Sequence, residues 1–272
     1  MAIITIARTA FSSGEKIARD VADKLGYSCL DRKELIHRAS ETFSLPETKL
    51  AETLDEPPKL WQQDRDKRDA HFNLIRATFL TLCREKKNLV YHGFSGQELI
   101  RGVAHVLRVL IIADEDFRLD QAMQELSVPR EEAYEVLHQQ DNRIKKWSRH
   151  MYNFEWNEPS LYDLVFHIGR IRPETAVQSI IDLVNSGDFA ETEQSLETFA
   201  NEFLASMVWS ALTQHKRTND ANVIIMAHRG VVTIAGTVRT AAMAKDLDEV
   251  ALKVEGVSEV INQVNIGTIW RS

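Results

Sequence analysis

Short apolar runs alternate with helical stretches through the first two thirds of the chain, and that alternation limits the folds open to it. "AIITIA" (2–7), "NLVYHG" (88–93), "VLRVLIIA" (106–113) and "LYDLVFHI" (161–168) read as buried strands. The first is followed by a helix over 14–25, with Ile17, Val21 and Leu25 on one face and Gly26 as its natural end. Asp31 is placed to cap the next helix, with Glu34 at the capping-box position. Pro46, Pro57 and Pro58 interrupt 44–60, and a long helix is expected from Asp64 to Lys86, carrying Phe72, Ile75, Phe79 and Leu82 inward. "FSGQELIRGVA" (94–104) is a turn entering a short helix; "DEDFRLDQAMQEL" (114–126), Pro129 to His150 and "RPETAVQSIIDLV" (172–184) are further helices. Strands alternating with helices predict an α/β fold, a parallel sheet covered on both faces.

From Asp188 the grammar changes. An acidic helical linker (188–215) leads into "VIIMAHRGVVTIAGTV" (223–238), two β-type runs around His228-Arg229-Gly230 that predict a hairpin. A helix over 241–254 ends near Gly256, and a last strand alternates through Val257, Val260 (offset by a bulge) and Val264. The expected organisation is an α/β domain over 1–187, the linker, and a small α+β domain over 216–272 whose first helix begins near 195.

At 44% apolar and 27% charged residues, 272 residues suffice for sizeable cores. A net charge of −7 argues against bulk nucleic acid as a partner. The start of the chain shows no export-signal pattern, and no apolar run approaches the ~20 residues of a membrane span, so a cytoplasmic protein is expected. Cys29 and Cys83, far apart in apolar contexts, are expected as buried free thiols. His92, His138 and His150 lack metal-ligand spacing.

The turn after the first strand, Arg8-Thr9-Ala10-Phe11-Ser12-Ser13-Gly14, opens a helix, and amides at such a junction can hold a phosphate. It has one glycine and no lysine of its own; Lys16 follows in the first helical turn. On these residues alone the turn is either a phosphate cradle or a plain strand-to-helix connection. "DNRIKKWSRHMYNFEW" (141–156) places Arg143, Lys146 and Arg149 at three-residue steps, either a solvated basic face or a charge-neutralising lid. Arg118 reads on its own as a surface partner of Asp114 or Glu115, Asp163 as structural, and Trp147 and Trp156 as packing residues.

Four segments resemble the cytidylate kinase-like family of P-loop nucleoside monophosphate kinases. "IARTAFSSGEKI" corresponds to the family's "ISR-x-x-GSGG-x-x-I", and "KLGYSCLDRKELI" to "KLGYPYYDRELI". "VLRVLIIADEDFRLDQAM" matches a strand, polar turn and arginine-bearing helix, and "WNEPSLYDLVFHIGRIRPETAV" a conserved-pattern "DPSLYDLV" segment. The resemblance implies a P-loop fold and ATP- and magnesium-dependent phosphoryl transfer to a nucleoside monophosphate, CMP by resemblance. It also admits a catalytically inactive module that senses a nucleotide or another phosphorylated ligand. Catalytic roles are implied for Arg118, Arg143 and Arg149, phosphate binding for Arg8, Ser12, Ser13, Gly14 and Lys16, and acceptor binding for Asp31 and Gly93. Phe11 replaces a family glycine, and Phe94 stands where a family arginine is expected.

The C-terminal segment resembles a BON domain through Gly230, "VTIAGTV" with Gly236, and "VEGVSEVINQVNI". That resemblance implies a phospholipid or protein partner, and the hairpin edge offers a surface for pairing with another chain, including a second copy.

Overall fold

The computed structural model describes residues 2–55, 62–93, 96–152 and 155–267. Phe94, Pro57 and Pro58 lie outside the described residues, as does the side chain of His150. Five parallel strands, β1 (Ile3–Arg8), β2 (Ser28–Asp31), β3 (Leu89–His92), β4 (Val106–Ala113) and β5 (Leu164–Ile168), stand in the order β2-β3-β1-β4-β5. Their dense Ile/Val/Leu content follows from burial on both faces. One face, through Ile4, Ile6, Val109 and Ile111, packs on α1 (Gly14–Leu25) and α8 (Pro173–Asn185). The other, through Ile3, Leu30, Tyr91 and Val106, is covered by α2 (Arg32–Phe43), α3 (Glu47–Asp55), α4 (Gln62–Lys86) and α5 (Gly96–Leu99). Two further helices, α6 (Glu115–Leu126) and α7 (Arg130–Tyr152), pack on each other beside the loop that follows β1.

Local signals act as expected at several ends. Gly26 takes a left-handed conformation (φ 67°) after α1, and Asp31 accepts the Glu34 amide at 2.8 Å to cap α2. Asp163 is structural: its carboxylate accepts the Arg108 amide at 2.8 Å and its own amide bonds back to the Arg108 carbonyl. Trp147 is buried against Phe72, ring centroids 6.2 Å apart, and Trp156 is buried beside Ala7 and Leu110. Cys83 is buried, and burial raises its thiol pKa. Cys29, expected to be buried, is instead exposed, because β2 is an edge strand with a neighbouring strand on one side only.

The acidic stretch after 188 folds as α9 (Glu193–Gln214), opened by a reciprocal Thr192/Ser195 capping box. Both of its flanks are buried. Phe199 belongs to the same core as Phe79 and Tyr91, whereas Leu204, Val208 and Leu212 belong to the core of the C-terminal unit. Arg76 on α4 pairs with Glu202, Arg84 sits 4.1 Å over the Phe203 ring, and His105 Nδ1 lies 2.8 Å from the Ser195 hydroxyl.

The C-terminal unit has β6 (Asn222–His228) antiparallel to β7 (Val231–Val238), β8 (Glu259–Ile266) parallel to β7, and α10 (Ala241–Ala251) between them in sequence. Arg229 and Gly230, both at positive φ, make the two-residue hairpin turn. Gly236 is required: a Cβ there would stand 2.4 Å from the Asn222 carbonyl oxygen. The last strand needs no bulge, since it starts at Glu259 and alternates regularly; Val257 belongs to the preceding turn. No helix among the described residues is long and apolar enough to cross a membrane.

Two outcomes follow. Phe199→Ala should lower stability by about 3–4 kcal/mol in urea unfolding, as expected for a buried aromatic truncated in a core. Burial lowers the folded-state pKa of His92 and His105 from 6.5, so the unfolded chain binds more protons below that pH. Their stability contribution is complete above pH 6.5 and falls as the pH drops below it; His105→Gln should flatten that limb in urea midpoints taken from pH 7.5 to 5.

Candidate functional site

β1 lies between β3 and β4, so the chain leaves neighbouring strand ends in different directions and opens a crevice at their carboxyl edge. The Thr9–Ser13 loop crosses this edge. It is fastened below by the Thr9 amide on the Ile111 carbonyl (3.0 Å) and within by the buried Ser12 hydroxyl donating to the Thr9 carbonyl (2.8 Å). Phe11 and Ser13 both adopt left-handed backbone (φ 58° and 60°), a conformation that costs an L-residue roughly 1–2 kcal/mol. The result is a concave main chain at the α1 N-terminus. Among the described residues, no acceptor meets the amides from Ala10 through Lys16. Such a group of unsatisfied donors, with the helix dipole behind it, attracts an anion.

The aromatic side chain in the loop has its own berth. Phe11 packs on the apolar cluster of Ala10, Leu119, Ala122, Ala133 and Leu137 between α6 and α7. That contact compensates for its backbone strain.

Arg118 is buried and bonded on three sides: Nε donates to the Ala10 carbonyl at 2.8 Å, and both terminal nitrogens grip the Asp141 carboxylate at 2.9 and 2.7 Å. The surface pairing with Asp114 or Glu115 read from sequence is therefore replaced by a clamp joining loop, α6 and α7; helix periodicity could not show that Asp141, 23 residues away, faces it. Arg8 lies along the α1 N-terminus, with Nη2 3.3 Å from Glu15, and burial holds its guanidinium below the ordinary arginine range. Gly14 is needed for this arrangement, since a Cβ there would stand 2.7 Å from the Arg8 Cβ.

The remaining expected residues are dispersed. Lys16 is exposed on the first turn of α1. Arg143, Lys145, Lys146 and Arg149 all lie on the exposed side of α7, and Arg149 pairs with Glu155. Asp31 is committed to capping α2, and Gly93 leaves room for Tyr91, whose hydroxyl would be 2.8 Å from a Cβ at that position. The structure thus gathers Arg8, Ser12, Ser13, Gly14 and Arg118 around one loop and leaves Arg143 and Arg149 on the outer face of α7.

Sequence reasoning missed a set of buried polar groups beside the loop. Among the described residues, His92 Nδ1, Thr5 Oγ1, Thr9 Oγ1 and Gln97 Oε1 meet no hydrogen-bond partner, and Glu98 is buried with its carboxyl pKa raised by desolvation. His92 and Thr5 carried a signal, as polar residues inside otherwise apolar strands. Among the described residues, no group of three or more His, Cys, Asp and Glu could hold a metal ion. Magnesium fits this donor set only as a companion of bound phosphates, with the Ser13 hydroxyl available beside them because Ser12's is already donated.

Asp141→Ala should cost about 2–3 kcal/mol in urea unfolding, because it leaves the Arg118 charge buried and unpaired. A double-mutant cycle with Arg118→Met should return most of that loss as coupling between the two.

A family model for the cytidylate kinase-like family matches residues 3–170, and one for the BON domain matches residues 202–268. Among solved structures, an uncharacterized protein from Eubacterium ventriosum is 21% identical with a TM-score of 0.53, the match covering 68% of this chain and 99% of that one. Shikimate kinase from Acinetobacter baumannii, in complex with shikimate, is 12% identical with a TM-score of 0.38, covering 69% of this chain and 94% of its own. Dephospho-CoA kinase from Campylobacter jejuni is 14% identical with a TM-score of 0.39, covering 68% and 98%. No curated protein matches the chain. With a kinase-type parallel sheet in place and more than half of its length matched, the chain belongs to the cytidylate kinase-like family, and it carries a BON domain at its C-terminal end.

Proposed function

We propose that this chain binds ATP at the loop after β1 and transfers its terminal phosphoryl group to a nucleoside monophosphate, CMP by family resemblance. One observation carries the reading: the amides of Ala10 to Lys16 stand without acceptors around a concave turn, while the Phe11 side chain is packed away on α6 and α7. In this reaction a phosphate oxygen of the acceptor forms a bond to the γ-phosphorus as the bond to the β-phosphate oxygen breaks, releasing ADP. The protein's task is to position both partners and offset the charge. The amides of Ser12, Ser13 and Gly14 hold the phosphates, with Arg8 and Lys16 as auxiliary cations. The Ser13 hydroxyl would stand beside a nucleotide-borne magnesium ion, which would supply charge neutralisation to the phosphate oxygens. Arg118 orients the loop through the Ala10 carbonyl, and Arg143 and Arg149 reach the transferring group only after α7 shifts its exposed face. Asp31 and Gly93 border the acceptor side. With ATP as its substrate the protein works in the cytoplasm on this reading, and the BON domain offers its surface to a protein or phospholipid partner or to a second copy.

A nucleotide sensor without turnover is the second reading. What favours it is that Arg118 is already neutralised by Asp141. ADP formation from ATP and magnesium with CMP, AMP, UMP or GMP decides between them. Turnover with one monophosphate, reduced tenfold or more by Gly14→Ala and by Arg143→Ala, supports the enzyme. A thermal shift with nucleotide and no ADP supports the sensor. Neither signal with any nucleotide overturns both.

A further inference from the structure

A cavity of about 1070 Å³ lies away from the loop, between the α2–α4 wall of the first unit and the α9–β6 wall of the second. Its two walls differ in chemistry. Phe43, Leu45 and Phe72 bring apolar and aromatic side chains to one side, next to His71, Asn73 and Arg76, and the half-buried Trp209 contributes a large ring from α9. Gln214, Asn219 and Asn222 bring side-chain amides to the second wall. Asn219 and Asn222 spend neither their donors nor their acceptors within the described residues, and Gln214 spends only its nitrogen, on the Ser210 carbonyl. At the rim Arg239 gives Nη1 to Asp220 at 3.1 Å and keeps its other N–H groups for a ligand.

We infer that this interdomain cavity is a second ligand site, distinct from the loop, and that its ligand is a nucleoside monophosphate. Aromatic rings offer a stacking surface for a base. Planar amides donate and accept at once, which suits the mixed edges of a base. A rim arginine suits a phosphate. An acyl chain would leave those amides dry and unpaired, and a bare anion would leave the aromatic wall uncovered. Domain interfaces are also where such sites concentrate. The site stands whether or not the loop binds ATP.

Equilibrium dialysis and tryptophan fluorescence on the full chain, with AMP, CMP, GMP and UMP as probes, test the inference. Asn222→Asp and Arg239→Gln alter exposed rim positions without touching either core. Saturable binding of at least one monophosphate is expected, weakened tenfold or more by each rim variant and unchanged by Gly14→Ala at the loop. Its fluorescence response should vanish in Trp209→Phe. Binding that disappears with Gly14→Ala and ignores both rim variants would overturn the second site, leaving the loop reading intact. Absence of binding by all four probes, or uptake of a fatty acid in their place, would overturn it as well.

Discussion

Main-chain donors without acceptors, gathered at the start of α1, are the constraint on which the rest of the first unit turns. They exist because β1 runs through the middle of the sheet, hydrogen-bonded on both sides, and delivers the chain to a fixed point at its carboxyl edge. The loop then has to turn within five residues, and two left-handed positions do so. A loop richer in glycine would make the same turn at lower conformational cost. This chain compensates by anchoring Phe11 in an apolar pocket and by tying the Ala10 carbonyl to Arg118. The loop is therefore held by side chains.

That substitution has a second effect. Because Arg118 bonds the loop and Asp141 together, α6, α7 and the loop behave as one packed block, with Leu119, Ala133 and Leu137 filling the space between them. The basic residues of α7 consequently lie on the side opposite this block. Any displacement of α7 against α6 strains the Arg118–Asp141 pair, so the position of α7 and the state of the loop are linked.

Much of the fold was legible in the sequence. The strand-helix alternation showed a parallel sheet and four of its strands but not the short edge strand β2, Gly26 and Asp31 marked helix ends, and the hairpin at His228-Arg229-Gly230 was readable from its turn chemistry. Pairings across long stretches were not. Periodicity cannot say that Asp141 faces Arg118, or that an acidic helix buries Phe199 in one core and Leu204 in another; its polar residues mask the two apolar stripes. Cys29 misled because its neighbours are apolar, while its exposure depends on β2 being at the sheet's edge. The buried polar groups Gln97 and Glu98 were invisible for the same reason: only the fold reveals which polar residues lack solvent.

The double duty of α9 bears on how the protein is made. Phe199 and Phe203 complete a core otherwise built from residues before 150, so on the ribosome the first unit stays short of a keystone until a segment about fifty residues further on has emerged. The same 22-residue rod, about 33 Å long, is also the floor on which the hairpin of the second unit settles through Arg229 and Glu197. Synthesis thus delivers one shared girder late, and both halves reach their final form around it together.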